Sequence, residues 1–120
     1  MELSDAVVTL SALSQETRLQ VFRLLMKAGP EGLPASRIAD RLGVQKSLMS
    51  AHLATLTRAG LLTVRRESRW MIYAVDFPRT RALLSFLVQD CCNGQPDICA
   101  GLLDQILPCD GGTPDQPTVQ

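Results

Sequence analysis

Two short helical segments that meet at a tight turn, Gly43-Val44, stand at the centre of this sequence. The first covers residues 35–42, follows Pro34 and ends at a glycine, the residue that most often closes a helix. The second covers residues 45–59 and ends at Gly60. Because two short helices joined by a glycine-containing turn are typical of a helix-turn-helix unit, the pair predicts that motif.

Apolar periodicity predicts further helices on both sides of this pair. A first helix carries apolar residues at spacings of three and four, namely Leu3, Ala6, Val7, Leu10 and Leu13. A second helix, capped by Ser14 and apolar on most sides, runs to Gly29-Pro30 and is expected in the core. A fifth helix follows Pro78 and carries Leu83, Leu84, Phe86, Leu87 and Val88.

Between Gly60 and Pro78 the pattern changes to that of β-strands. Residues 62–64 and 70–75 are rich in β-branched and aromatic residues and are joined by residues 65–69, so a β-hairpin is expected. The sequence therefore predicts a mainly α fold with one β-hairpin. No apolar run approaches the roughly 20 residues of a membrane helix, and the N-terminus lacks the basic start of a signal peptide, so a cytoplasmic protein is expected.

The charges are strongly segregated along a chain whose net charge is zero. Residues 37–81 hold nine basic and three acidic residues, whereas residues 82–120 hold five Asp and no basic residue. The middle of the chain is therefore suited to a polyanion, and the C-terminal part is not.

A DNA-binding surface is predicted on the fourth helix and the hairpin. Opposite the apolar face Met49, Leu53 and Leu56, the helix carries small and hydroxyl side chains that let its backbone approach a major groove. Arginines of the hairpin are placed to contact phosphates or a minor groove. The alternative is an ordinary solvated helix face and charged turn. The predicted DNA-binding residues are Lys46, Ser47, Ser50, Ala51, Arg58, Arg65, Arg66 and Arg69.

The four cysteines are all found between Cys91 and Cys109. In a reducing compartment such a cluster favours a metal or redox site over disulfides. Thiolates of Cys91, Cys92 and Cys99 suit As(III) or Sb(III), which take three ligands and keep a lone pair. Zinc would need a fourth ligand, for which Cys109 is the nearest thiol. Cadmium, lead, a metal-free redox sensor and simple burial of the cysteines stay as alternatives.

Three segments together resemble the ArsR/SmtB family of winged-helix repressors: residues 12–19 (ALSQETRL), 50–62 (SAHLATLTRAGLL) and 65–73 (RRESRWMIY). The resemblance implies a homodimer formed through the first and fifth helices, bound to a two-fold operator in double-stranded DNA. It also implies release by As(III) or Sb(III), because Cys91, Cys92 and Cys99 resemble the thiol set that one variant of the family carries after its fifth helix.

The resulting division of the chain has three parts. Residues 1–92 are expected to form the winged helix-turn-helix domain for DNA binding and dimerisation, 91–107 the cysteine-containing inducer-binding segment, and 108–120 a disordered tail. A thiol-based arsenic enzyme is the distant alternative, but the sequence holds no Cys-x-x-Cys motif, so no enzyme activity and no catalytic cofactor are expected. The sequence departs from the family pattern at the hairpin turn, where Glu67-Ser68 stands in place of the usual Gly. His52 matches a histidine that is common in the family, and it is expected to pack inside rather than contact DNA.

Overall fold

The computed structural model describes residues 1–89, and Met1–Phe86 form one compact unit. The four cysteines, the segment 91–107 and the tail 108–120 lie outside the described residues, so the predictions made for them stay predictions. The helices are α1 (Leu3–Leu13), α2 (Glu16–Ala28), α3 (Ala35–Leu42), α4 (Lys46–Arg58) and α5 (Phe77–Val88). The strands are β1 (Leu33–Pro34), β2 (Leu62–Glu67) and β3 (Trp70–Val75).

The mainly helical fold with a hairpin is confirmed, and the bounds of α3 are those predicted. The prediction that Ser14 caps α2 is wrong. The side chain of Gln15 accepts the hydrogen bond from the backbone N–H of Arg18 at 2.8 Å. Ser14 instead donates to the carbonyl oxygen of Ser11 at 2.9 Å, so its hydroxyl is already used to close α1.

A third strand, β1, completes the sheet, whose antiparallel order is β1-β3-β2. Leu33 pairs with Tyr73 and Pro34 with Ile72. The strand was not predicted, because two residues are too short to show the alternation that marks a strand. Gly32 is required beside it, since it has a φ of +69° and an added Cβ would lie 2.2 Å from the carbonyl oxygen of Tyr73.

The hairpin turn is shorter than the predicted five-residue connection. β2 continues to Glu67 and pairs there with Trp70, which leaves a loop of only Ser68 and Arg69. Ser68 takes a positive φ of 59°, and it is the only non-glycine residue of the described chain that does so. At the position where a glycine is usual in the family, this chain therefore has a serine with the positive φ that a glycine adopts easily.

The core lies between α2, α3, α4 and the base of the hairpin, and its fully buried side chains include Val21, Leu25, Ile38, Met49, Leu53, Leu56 and Leu61. α1 contacts this core through small residues, namely Ala6, Thr9 and Ala12. The larger apolar side chains of α1 point outward: Leu3, Val7 and Leu10 are 69%, 56% and 41% exposed. These three residues, called the α1 apolar face below, have no cover from residues 1–89.

Candidate nucleic-acid interface

α4 is fixed in place by its apolar face. Met49, Leu53 and Leu56 are almost completely buried in the core, as their spacing predicts. The opposite side of the helix therefore faces outward. All five predicted DNA-binding residues of this helix are exposed: Lys46, Ser47, Ser50, Ala51 and Arg58.

The turn between α3 and α4 sets the angle at which α4 leaves the core. Gly43 closes α3 in the left-handed conformation, with a φ of +65°, and its N–H points back to the carbonyl oxygen of Asp40 at 3.4 Å. Val44 donates to the carbonyl oxygen of Ala39 at 3.0 Å. These bonds satisfy carbonyl groups at the end of α3 and turn the chain directly into α4, as a Schellman-type cap does.

The C-terminal end of α4 packs against α1, and a residue of α5 lies beside the glycine that follows it. The buried hydroxyl of Thr9 in α1 donates to the carbonyl oxygen of Asp5 at 2.8 Å and lies 3.5 Å from that of Ala59. The guanidinium group of Arg79 in α5 lies against Gly60, where an added Cβ would be 3.1 Å from Nε. The end of α4 is therefore in direct contact with α1.

The three arginines of the hairpin are exposed, but each also contacts its own chain. The Nε of Arg65 forms an ion pair with the carboxylate of Glu67 at 2.7 Å. The Nη2 of the same guanidinium group donates to the carbonyl oxygen of Glu31 at 2.8 Å. Because Glu67 is itself well exposed, the ion pair contributes little stability, but it offsets part of the positive charge.

The two remaining arginines are placed differently. Arg66 pairs across the hairpin with Met71 and donates to the carbonyl oxygen of Ser68 at 3.1 Å. The guanidinium carbon of Arg69 lies 5.6 Å from the centre of the Trp70 ring, within the range of a cation–π contact. Arg65 and Arg66 are consecutive in β2, so they point to opposite faces of the hairpin. The hairpin thus presents positive charge on both faces and at its tip.

One further residue of α4 belongs to the exposed surface and was missed from the sequence. Leu48 is 52% exposed, although it is a large apolar residue next to Ser47. It lies outside the stripe formed by Met49, Leu53 and Leu56, and that departure from the periodicity was the available signal. An exposed apolar side chain here is suited to contact the methyl group of a thymine in a major groove. His52, by contrast, is half-buried.

Two other kinds of feature are absent from the part of the chain that the structure describes. Residues 1–89 hold no group of three His, Cys, Asp or Glu side chains placed to bind a metal ion. Nor does any helix within that range have the length and apolar character needed to cross a membrane.

Comparison with known proteins agrees with this surface. Residues 13–65, which run from the last residue of α1 into β2, match a family model described as a helix-turn-helix domain. The transcriptional activator HlyU of Vibrio cholerae is 32% identical over 84 residues, which are 70% of this chain and 75% of HlyU. A solved structure of HlyU from V. cholerae matches with a TM-score of 0.60 and 32% identity, covering 77% of this chain and 99% of HlyU.

Two further relatives extend the comparison. A putative arsenical resistance operon repressor, ArsR, of Halobacterium salinarum is 42% identical over 71 residues. The match covers 59% of this chain and only 54% of that repressor. The homodimeric winged helix-turn-helix domain of Mb0332 from Mycobacterium bovis, a possible ArsR-family regulator, has a TM-score of 0.59 and 27% identity, covering 73% of this chain and 82% of that domain.

Proposed function

This chain belongs to the ArsR/SmtB family of winged helix-turn-helix transcriptional regulators, and from that premise we propose that it is an arsenic-responsive repressor. Its relatives regulate transcription through a DNA-binding fold and are not enzymes. In the proposed function the protein binds an operator as a homodimer. It leaves the operator when As(III) or Sb(III) binds Cys91, Cys92 and Cys99.

The exposed side of α4 together with the hairpin is the observation that carries DNA binding. Hydroxyl groups and small side chains lie at the N-terminal half of α4, which is the part of a recognition helix that reads base edges. The hairpin arginines supply positive charge for the phosphate backbone. Both surfaces belong to elements whose positions are fixed by the core.

The α1 apolar face supports the homodimer. Leu3, Val7 and Leu10 are exposed side by side on one helix, and a patch of large apolar residues on a single chain commonly marks a protein interface. The relative Mb0332 is a homodimer. Two copies related by a two-fold axis would present two recognition helices to a palindromic site, which is how dimeric helix-turn-helix proteins bind.

The proposal of As(III) as inducer rests on the three thiols within nine residues, 91–99, and on the similarity to an arsenical resistance repressor. Soft thiolate ligands favour soft ions over Mg(II) or Ca(II). Release requires that the ion bind more tightly to a form of the dimer that fits DNA poorly. A coupling free energy of about 1–3 kcal/mol would change operator affinity by roughly 5- to 150-fold. Because Thr9 of α1 contacts the carbonyl oxygen of Ala59 at the end of α4, a change at the α1 interface of the proposed dimer has a direct path to the recognition helix.

A mobility-shift experiment tests the proposal. An operator is first selected from random duplex DNA with reduced, metal-free protein, and As(III), Sb(III), Zn(II), Cd(II) and Pb(II) are then titrated separately. We expect release by As(III) and Sb(III) at the lowest concentrations. Release by an oxidant alone, reversed by a thiol reductant, would replace the proposal with a redox sensor. Preferential release by Zn(II), Cd(II) or Pb(II) would replace it with a divalent-metal sensor.

Cysteine variants provide the matched controls. Cys91→Ser, Cys92→Ser and Cys99→Ser are each expected to bind the operator like wild type and to need far more As(III) for release, since a hydroxyl is a poor ligand for a soft ion. Cys109→Ser carries the same chemical change in the predicted tail and should respond normally. A loss of response in Cys109→Ser would indicate a four-thiolate site.

A second candidate function is activation rather than repression, because the relative HlyU is a transcriptional activator. A repressor and an activator would use the same DNA-binding surface and differ only in whether the bound protein lowers or raises transcription. A reporter placed behind the selected operator should be silenced by the protein and restored by As(III) if it is a repressor. Stimulation of the same reporter by the protein would establish the activator.

A further inference from the structure

A second positively charged site lies between α1 and the C-terminal half of α4. A groove of about 480 Å³ runs between the two helices, and its walls include Val7, Val8 and Ala59. Arg18 and Arg58 both line it. Arg18 was not among the predicted DNA-binding residues, and it belongs to α2 rather than to the recognition helix or the hairpin.

The side chain of Arg18 is held in the groove by a hydrogen bond to a backbone carbonyl group of another residue. Its Nε donates to the carbonyl oxygen of Ala12 at 2.6 Å, which fixes the guanidinium group across the α1–α2 junction. Within residues 1–89 the single ion pair is the one between Arg65 and Glu67, so neither Arg18 nor Arg58 is neutralised by a described carboxylate. Two guanidinium groups without a counterion in one groove are suited to an anionic ligand.

Arg58 connects the groove with the DNA-facing side of α4. It lies seven residues after Ala51 and eleven after Ser47, close to two and three whole turns at 3.6 residues per turn. All three therefore lie on the same exposed stripe, with Arg58 about 16 Å beyond Ser47 along the helix axis. A helix that reads bases with its N-terminal residues would bring this end of the stripe to the phosphate backbone beside the major groove.

We propose that Arg18 and Arg58 bind neighbouring backbone phosphodiesters of duplex DNA at this groove, as a second backbone contact besides the hairpin. Val8, which also lines the groove and lies outside the α1 apolar face, would lie against the sugars. The proposal rests on the DNA binding described under the proposed function, but it does not depend on the thiol site. The alignment of Arg58 with Ser47 and Ala51 favours DNA over a small organic anion, for which no such alignment is needed.

The test is the salt dependence of DNA binding by the full chain. Each phosphate contact that is lost should reduce the slope of log K against log salt by about 0.9. We expect Arg18→Gln and Arg58→Gln each to reduce the slope by about that amount, on the selected operator and on a scrambled duplex alike. The double variant should lose about twice as much. Arg23→Gln makes the same charge change at an exposed position of α2 outside the groove and should keep the wild-type slope.

Arg18→Lys separates charge from structure, because it keeps the charge and removes the Nε bond to Ala12. Its slope should equal that of wild type even if its melting temperature falls. The inference is overturned if Arg18→Gln keeps the wild-type slope, or if Arg23→Gln reduces the slope equally. A groove that serves a small organic anion would give unchanged slopes and stabilisation by benzoate, which also overturns it. Failure of wild-type protein to bind any duplex would instead overturn the proposed function.

Discussion

Ser68 is the residue at which the hairpin is under the most local strain. A two-residue loop between Glu67 and Trp70 needs a positive φ, and Ser68 supplies 59° although its Cβ disfavours that region. The left-handed conformation costs an L-residue roughly 1–2 kcal/mol, whereas glycine adopts it freely.

Replacing this serine should therefore stabilise the protein. We expect Ser68→Gly to raise the free energy of unfolding by about 0.5–1 kcal/mol, since the relief of strain exceeds the extra freedom that glycine has in the unfolded chain. Chemical denaturation measures the change. Ser68→Ala keeps the Cβ and should give no gain, so equal stabilisation by both variants would contradict the explanation.

Gly32 is constrained by its neighbour as well as by its backbone. Its φ is +69°, and an added Cβ would overlap the backbone of Tyr73 in β3. We expect Gly32→Ala to lower the free energy of unfolding by roughly 2–4 kcal/mol, through strain in φ and displacement of β1 from β3. Gly43→Ala is the matched control, because Gly43 has a similar φ and nothing within 4 Å. It should lose only about 1 kcal/mol, and equal losses would show that the clash with Tyr73 is unimportant.

The outward position of the five predicted DNA-binding residues of α4 could be predicted from the sequence, because Met49, Leu53 and Leu56 define the buried side. The exposure of Leu48 was missed, because an apolar residue there is not expected on the outer side. The contacts of Arg65 could not be predicted. Its bond to the carbonyl oxygen of Glu31 joins residues 34 positions apart, and only the packing of the sheet brings them together. Arg18 was overlooked for the same reason, since its neighbour Arg58 is on another helix.

At the scale of the elements, the proposed function gives α4 and the hairpin different parts in DNA binding. In the proposed function the hairpin arginines contact the phosphate backbone, whereas Ser47, which lies in the first turn of α4, contacts base edges. Substitutions in the hairpin should therefore change the salt dependence of binding, and substitutions in α4 should change the preference for the operator.

Arg66→Ala should weaken binding to operator and random DNA alike and reduce the salt slope by about 0.9. Ser47→Ala should keep the slope and reduce the preference for the operator by about 1 kcal/mol, since a hydroxyl contact to a base is lost. Fluorescence anisotropy over a series of salt concentrations measures both quantities. A hairpin variant with an unchanged slope would mean that the hairpin does not contact the backbone.

The elements themselves were predicted unequally well. α3 and α4 were predicted to within one residue, because proline and glycine mark their ends. The hairpin strands were predicted too short on one side, since Arg65-Arg66-Glu67 is typical of a turn by composition but is held in β2 by pairing with β3. Charged residues on an exposed hairpin lack the apolar alternation on which such predictions depend.

At the scale of the whole molecule, the α1 apolar face is the surface proposed to join two copies of the chain. Val7 lies at its centre and is 56% exposed. We expect Val7→Glu to shift the protein from dimer to monomer in sedimentation equilibrium, because a carboxylate at the centre of an apolar interface is left unpaired. Operator affinity should fall strongly, since each monomer then binds its half-site separately.

Ser4→Glu is the control for this prediction. It adds the same charge at an exposed position of the first turn of α1, where a carboxylate is favourable, and should leave the dimer intact. A dimer that survives Val7→Glu would place the interface elsewhere.

The two edges of the sheet determine whether copies of this protein can join by adding strands to one another. Pro34 has no N–H to offer a further strand, and the other edge of the sheet, β2, carries Arg65 and Glu67. Neither edge is a good template for an incoming chain, so the sheet does not grow by addition of strands. Among residues 1–89, contacts between copies are therefore expected through helical faces, and a single two-fold contact between such faces closes on itself. In the proposed dimer this part of the chain would pair without offering an open strand edge to further copies.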